Sequence, residues 1–518
     1  MLISKHKEDS FLKMYGFKLS ASIIIIIFNT VVQMILARAL GTTDYGYFNY
    51  NMNLFTTAIS LINASTSDAF YSKISKRRDE KELTQFYLYY TLLLFAVINI
   101  IFILLLVTGL VNYIWENQQI INLLLALYVT FLIYILSVFS SLSDAYSLTR
   151  FTELGKAFQK LIVFIFTSVF FYFSSLNLTL FYLFQVVSMV FVIIILFIVL
   201  KHKKIIFFKK IKFIELLHKY KFEFYLFSKP MFLMLLINSI LTSAENWFII
   251  HYSSVSEQAY FGIANQLNSA LSYIFTPLIL LLIREFATVY SDKNKLSEIY
   301  EKYMRIIYIV IAFFACYIMV DADWITSLFG GNEYLPAVPA VKLMMIYTIG
   351  QTMGQINGSL FIASERTKVF SYTAFVGIVL SIVLDYLLLV PNYFYSKGLG
   401  AVGLTLKMFL TQLIVYNLSI YLNCKYLKIS FRKIFAIQFI SPIIFLSCGY
   451  AIRYVICLLV DVNIIADNYA LLCLLTGLIY FAIILLMVSK APKLLGLKSN
   501  YLKLLLDKIK VQIASTEG

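Results

Sequence analysis

Apolar runs of membrane-spanning length recur from one end of this chain to the other, and that recurrence restricts its fold more than any other feature. They occupy residues 17–37, 46–64, 86–108, 120–140, 158–174, 178–200, 225–250, 259–283, 303–320, 341–363, 369–390, 401–424, 435–459 and 469–489. A bilayer core needs ~20 apolar helical residues per crossing, and only helices or closed barrels satisfy the backbone inside it. The reading is an all-α polytopic membrane protein with about 14 transmembrane helices, numbered here as spans 1 to 14. The pair at 158–174 and 178–200 reads either as two spans or as one hairpin. Composition agrees: 61% of residues are hydrophobic, 14% are charged and the mean hydropathy is +0.84. Soluble domains have ~45–50% apolar and ~25% charged residues, so a water-soluble fold is excluded.

The chain carries 43 Lys and Arg against 27 Asp and Glu, a net charge of +16. In a soluble protein this excess would point to nucleic acid; in a polytopic one it marks the cytoplasmic connections, and no nucleic-acid partner is read from it. With both termini inside, all but five of the 43 basic residues fall in inside segments. The exceptions are Arg38, Lys342, Lys397, Lys407 and Arg453. The first run follows Lys5, Lys7, Lys13 and Lys18 and has no AxA-type cleavage site, so it reads as span 1 rather than a signal peptide.

The longest connection, 201–229, holds nine basic residues interleaved with aromatics. It divides the chain into an N-lobe at 1–200 (spans 1–6), a basic cytoplasmic linker at 201–229 and a C-lobe at 230–424 (spans 7–12). Spans 13 and 14 follow at 425–489, then a basic cytoplasmic tail at 490–518. Sliding the sequence by 213 places Gln33 on Asn246, Asp44 on Glu257, Tyr47 and Phe48 on Tyr260 and Phe261, and Asn53 on Gln266. The expectation is two pseudo-symmetric six-helix lobes related as a parallel repeat, plus two extra C-terminal helices. In the tail, Leu494, Leu497, Tyr501, Leu504, Leu505 and Ile509 share one helical face among lysines. With the linker, that pattern suits an anionic membrane surface, the plainer alternative being a solvated tail.

Catalytic chemistry finds little support. Outside connections are short, the longest running from Asp321 to about Ala340. The four histidines are His6, His202, His218 and His251, and no HExxH, P-loop or GxSxG pattern occurs. The five cysteines lie in or beside apolar runs without CxxC spacing and read as small core hydrophobes. No metal or organic cofactor is expected, and the chain reads as a transporter rather than an enzyme.

A polar side chain in hydrocarbon must face protein or water, so polar files mark the wet faces of spans. Span 2 carries Asn49, Asn53, Thr56, Ser60, Asn63 and Ser67 at successive spacings of 4, 3, 4, 3 and 4. Span 1 has Ser22, Asn29 and Gln33; span 7 has Asn238, Thr242, Glu245 and Asn246; span 8 has Asn265, Asn268 and Ser272. Span 10 adds Thr348, Gln351, Gln355 and Ser359, and span 12 adds Gln412. These groups either make ordinary interhelical hydrogen bonds or line a hydrophilic passage; aligned files favour the passage. Among the charges, Arg38 is either a snorkelling residue paired with Asp44 or a contact to phosphate. Glu245 is either a site for a proton, cation or polar substrate or a structural acid. Asp385 and Lys407 either pair with each other or serve coupling and substrate contact. Arg453 reads as interfacial.

Residues Ile35 to Tyr50 read ILARALGTTDYGYFNY, which resembles the "LAR-x-LG-x-x-x-YG-x-F" signature of the Wzx-like oligosaccharide flippases, the polysaccharide biosynthesis branch of the MATE-like superfamily of exporters. Leu328 to Met344, LFGGNEYLPAVPAVKLM, is similar to that family's "LFG-x-x-Y-x-x-A-x-x-x-L" stretch. The resemblance implies a MATE-like, alternating-access flippase that moves undecaprenyl-pyrophosphate-linked oligosaccharide across a bacterial cytoplasmic (inner) membrane. It would serve surface polysaccharide assembly (O-antigen of lipopolysaccharide, or capsule), in company with a polymerase and chain-length machinery. Arg38 matches the signature's arginine. Besides it, Lys407 is the other core cation, so amides, hydroxyls and tyrosines carry much of the sugar contact. Proton or sodium coupling would fall to Glu245 and Asp385. The rival readings are a cation-coupled exporter of small organic cations and a flippase for lipid II or a teichoic acid precursor.

Overall fold

The structure is a computed structural model that describes residues 2–77, 79–146, 148–206, 213–391, 398–459 and 469–490. Residues 491–518 of the tail and 207–212 of the linker lie outside these, so the amphipathic tail expectation lies outside the described residues. Among the described residues all regular elements are helical. They are α1 (Leu2–Asn63), α2 (Thr66–Lys76), α3 (Lys81–Val107), α4 (Leu110–Ile114), α5 (Ile120–Ala145), α6 (Thr149–Tyr172), α7 (Leu178–His202) and α8 (Phe213–Phe248). Then come α9 (Val255–Thr288), α10 (Lys293–Val320), α11 (Ala322–Gly330), α12 (Val338–Ala363), α13 (Thr367–Leu388), α14 (Gly400–Leu427), α15 (Phe431–Leu459) and α16 (Tyr469–Lys490).

Every predicted apolar segment lies on one of these helices, and the 158–174 and 178–200 pair forms two, α6 and α7. Eleven helices among the described residues are long and apolar enough to cross a membrane. Spans 1 and 2 share α1, broken only at Gly41. α12 is not among the eleven: its file of Lys342, Gln351, Gln355 and Asn357 dilutes the apolar content. The count of fourteen crossings therefore stays an expectation. Apolar residues such as Leu92, Ile100, Ile103 and Leu104 of α3 are each more than half exposed, as a lipid-facing surface requires.

The chain forms two compact units, Met1–Ala259 with Ser396–Gly400, and Tyr260–Tyr395 with Ala401–Gly518. α8, which holds span 7, belongs to the first. In that unit α1 packs chiefly on α6, and α5 on α7. Its core includes Phe48 against Phe181 and Tyr182, and Phe55 stacked on Trp115. Deeper, Asn63 accepts hydrogen bonds from Thr66 and Tyr134, and the Tyr87 hydroxyl lies 3.0 Å from that of Tyr134. Such a network satisfies polar groups that hydrocarbon would leave unpaired.

α8 begins at Phe213, so much of the predicted linker is helix continuous with span 7. Charged residues of this helix meet opposite charges on and beside α2. Lys219 pairs with Glu80 and Glu82, while Glu223 binds Lys73 at 3.0 Å and the Arg77 guanidinium. The Arg77 and Lys73 hydrogen bonds hold the Glu223 carboxyl below its ordinary range, as an opposite charge at close range should.

In the second unit α10 packs on α12 and α15, and α16 on α11 and α15. Tyr308 donates to the Gln438 carbonyl at 2.7 Å and Tyr300 to Asn357 Oδ1 at 2.8 Å. α12 presents Gly350 and Gly354 to Gln412 and Tyr416 of α14. Small residues at that spacing let membrane helices approach closely, and Gln412 Nε2 donates to the Gly350 carbonyl at 3.0 Å.

Candidate functional site

The first signature has a physical reading. Gly41 sits at φ 68 inside α1, a left-handed conformation open to glycine at little cost, and it turns the chain between spans 1 and 2. A Cβ on Gly46 would stand 2.2 Å from the Val255 carbonyl oxygen, so only glycine admits that contact. Between them, fully buried Tyr45 donates to Gln33 Oε1 at 3.2 Å, and Asn49 Nδ2 donates to the Tyr45 carbonyl at 2.8 Å.

One turn further the polar files of spans 2 and 7 meet. Asn246 Oδ1 accepts from Asn53 Nδ2 at 3.2 Å and from Gln258 Nε2 at 2.7 Å, while Asn246 Nδ2 donates to the Thr242 carbonyl at 2.7 Å. Asn246 and Gln258 are 3% and 0% exposed. Glu245 is half-buried beside them.

α6 supplies a cation that the sequence reading left in a cytoplasmic connection. Glu153, Lys156 and Lys160 recur at helical spacing along it. Lys156 bonds Glu153 Oε1 at 2.9 Å and Ser140 Oγ at 2.7 Å. Lys160 Nζ, one turn deeper and half-buried, donates to Asn29 Oδ1 at 2.9 Å. Lys160 forms no ion pair among the described residues. Gln159 continues this polar interior toward Gln185 and Ser188, at 3.2 Å each.

In the second unit, Asn268 Oδ1 accepts from the Thr348 hydroxyl at 2.8 Å, and the Ser272 hydroxyl donates to Gln351 Oε1 at 3.1 Å. Lys407 Nζ lies 3.4 Å from Asp385 Oδ1, with both side chains buried. The structure thus joins Asn53 to Asn246, Asn268 to Thr348, Gln351 to Ser272, and Asp385 to Lys407. Asn238 and Arg38 are exposed, and Asn265 and Gln355 are half-buried outside these pairs.

Arg453, read from sequence as interfacial, joins α15 to the start of α11. Its guanidinium binds Asp323, donates to the Val320 carbonyl and stacks 4.1 Å from the Trp324 ring centroid. Asp321 lies beneath with no exposed surface and accepts from the Thr476 hydroxyl of α16. Burial pushes the Asp321 carboxyl up to about 6, against the opposing pull of Thr476 and Arg453.

All five cysteines are free; Cys316, Cys424 and Cys473 are buried, Cys448 is half-buried and Cys457 is exposed, so Cys457 is no core residue. Among the described residues no cluster of three or more His, Cys, Asp or Glu could hold a metal ion. An apolar cavity of about 530 Å³ in the first unit is walled by aromatics including Phe55, Phe102, Trp115 and Trp247.

The fold has counterparts among solved structures. A multidrug resistance MATE family transporter of the MOP superfamily, inward-facing, matches with a TM-score of 0.60 and 14% identity over 80% of this chain and 99% of that one. The lipid II flippase MurJ, in an inward closed conformation, matches with a TM-score of 0.62 and 13% identity over 90% and 97%. A MOP superfamily transporter from Pyrococcus furiosus matches with a TM-score of 0.52 and 13% identity over 81% and 96%. No curated protein sequence gives a significant match. The family profile described as polysaccharide biosynthesis protein matches residues 12–283, more than half of the chain. With the Arg38–Phe48 signature inside the matched stretch and a helical fold like that of the MATE and MurJ structures around it, this multi-pass membrane protein belongs to the polysaccharide biosynthesis protein family.

Proposed function

We propose that the chain moves an undecaprenyl-pyrophosphate-linked oligosaccharide from the inner to the outer leaflet of a bacterial cytoplasmic membrane, by alternating access of two six-helix lobes. The assembly served is a surface polysaccharide such as O-antigen or capsule. The single observation that carries this reading is the polar interior of the first unit, where Lys160 on Asn29 adds a cation to the amides of Asn49, Asn53, Asn246 and Gln258. A lysine on a neutral amide keeps its charge available to a phosphate, and amides suit sugar hydroxyls. An organic cation would find no excess of acid there. Glu245 and the Asp385–Lys407 pair are the proposed coupling groups, for a proton or a sodium ion.

The test reconstitutes the full chain in proteoliposomes with fluorescent undecaprenyl-pyrophosphate oligosaccharide in the inner leaflet and follows its arrival outside. Lys160→Met should slow translocation by at least about tenfold, the loss expected for one charge-assisted contact, while Lys160→Arg retains most of it. Equal rates in wild type and Lys160→Met would remove Lys160 from the route. Transport of small organic cations in place of the lipid-linked sugar would favour the exporter reading.

A further inference from the structure

Three short connections at one end of the first unit, each too small to suggest a site alone, converge on an open depression of about 600 Å³. They are the turn after Gly41, the segment between α4 and α5, and the segment between α6 and α7. The distribution of Lys and Arg assigns all three to the extracytoplasmic side. We propose that this depression is a carbohydrate-binding site for neutral or N-acetylated sugar residues, separate from the polar interior described above.

Its chemistry is that of sugar recognition. The lining includes the carboxylate of Asp44, the ring of Tyr47 and the amides of Gln118, Gln119 and Asn122. A sugar hydroxyl accepts one hydrogen bond and donates another. Here the amides donate and Asp44 accepts, so both halves of that exchange are present. Leu178 and Leu183 of α7 supply apolar wall beside these groups, suited with Tyr47 to the C–H faces of a pyranose. No Lys, Arg or His lines the depression. A phosphate or uronate would meet Asp44 with no cation to offset it, which separates this surface from a pyrophosphate site.

The walls are held from behind. Gln118 Oε1 accepts from Asn51 Nδ2 at 2.8 Å, and Asn51 has no exposed surface. Asn122 Oδ1 accepts from the Thr179 hydroxyl at 2.6 Å, which ties the start of α5 to that of α7. Asn177 caps α7 by accepting from the Leu180 amide at 2.9 Å. Below, Tyr50 donates to the Ile114 carbonyl at 2.8 Å. In each amide pair the oxygen faces protein, and among the described residues the side-chain nitrogens of Gln118 and Asn122 make no hydrogen bond. Donors with fixed orientation and no internal partner are what a preorganised polar site needs. Asn117, at φ 59, holds the left-handed turn that brings Gln118 and Gln119 to the lining, a conformation asparagine tolerates better than most residues.

The site stands apart from the translocation reading, since binding here needs neither Lys160 nor Glu245. The experiment presents tetra-N-acetylchitotetraose, maltotetraose and tetragalacturonate to the full chain in nanodiscs and reads saturation-transfer NMR and titration. The expected result is saturable binding of at least one neutral oligosaccharide, weakened at least about tenfold by Asp44→Ala and by Tyr47→Ala, with tetragalacturonate weaker by a similar factor. Asp44 is exposed, so Asp44→Ala should keep the wild-type unfolding temperature, and it alone decides if Tyr47→Ala folds poorly. Absence of binding by both neutral sugars, binding indifferent to Asp44→Ala, or tetragalacturonate bound as well as they are would each overturn the proposal.

Discussion

Arg453 Nη1 lies 2.6 Å from Asp323 Oδ1, and the second guanidinium nitrogen takes the other carboxylate oxygen, so that α15 is bolted to the start of α11 by a two-pronged ion pair. The guanidinium is 19% exposed and the carboxylate 40%, which places the pair between a surface contact and a buried one. Arg453→Ala should destabilise the solubilised protein by about 1–3 kcal/mol. In a double-mutant cycle with Asp323→Ala, a coupling energy near zero would show that the two residues stand together without holding α15 in place.

Acid stability should carry the mark of Asp321. Its folded carboxyl titrates at about 6, above its ordinary value of 3.8. Between those values the folded state holds a proton that the unfolded state has released, so stability falls as pH rises through that window and levels off above it. The difference amounts to at most about 3 kcal/mol. Thermal unfolding at about pH 4, near the window's lower edge, and at about pH 7.5, beyond its upper edge, should show Asp321→Asn gaining relative to wild type at the higher pH. A constant gap between the two proteins would mean that Asp321 is not titrating there. Glu223, held low by Arg77 and Lys73, acts in the opposite sense. Its contribution is present above the unfolded value and lost as pH falls through the folded one, so Glu223→Gln should flatten the acid limb.

Glu245 neighbours the Asn246 junction, half-buried on α8. An acid at this depth must be paired, hydrated or protonated. Glu245→Gln should preserve the fold yet slow translocation and blunt its response to an imposed proton or sodium gradient. Wild-type rates with a wild-type gradient response would leave Glu245 a structural hydrogen-bonding residue.

Arg38 is exposed three residues before the Gly41 turn. If it handles an anionic head group or the outer gate, Arg38→Lys should retain more polysaccharide export than Arg38→Ala, since lysine keeps the charge and loses the fork of donors. Full export by Arg38→Ala at normal expression would end that role.

Gly46→Ala places a methyl carbon 2.2 Å from the Val255 carbonyl oxygen. Backbone must move to relieve it, at a cost of about 1–3 kcal/mol. An unfolding midpoint equal to that of wild type would mean the contact yields freely.

What the sequence disclosed follows the range of the physics involved. Hydropathy is a local property, and every apolar segment is a helix. Polar files at helical spacing located Asn53, Asn246, Asn268 and Gln351, because a buried amide advertises its partner's existence if not its identity. The Asp385–Lys407 juxtaposition was one of two open readings, and the 3.4 Å separation favours it. Lys160 escaped notice because it sits at the very edge of the apolar run that begins at 158, where its charge reads with the basic residues of the preceding connection although α6 runs unbroken through both. The partners of Arg453 escaped for a different reason: its acids precede it by more than a hundred residues, and no periodicity links them. The amide-rich depression was invisible for a third reason. Each contributing connection is only a few residues long, and what makes a site of them is their meeting in space.

The turn at Gly41 has a bearing on how this protein can be altered. α1 passes from one predicted span to the next through a single left-handed residue, without a loop, and five residues later Gly46 is pressed against Val255. A tag, epitope or fluorophore spliced between residues 36 and 50 would rotate everything beyond it out of register with its neighbours. The connection between α6 and α7, by contrast, carries exposed Ser174 and Ser175 and offers a place where extra residues can be looped out. Probes of topology belong there.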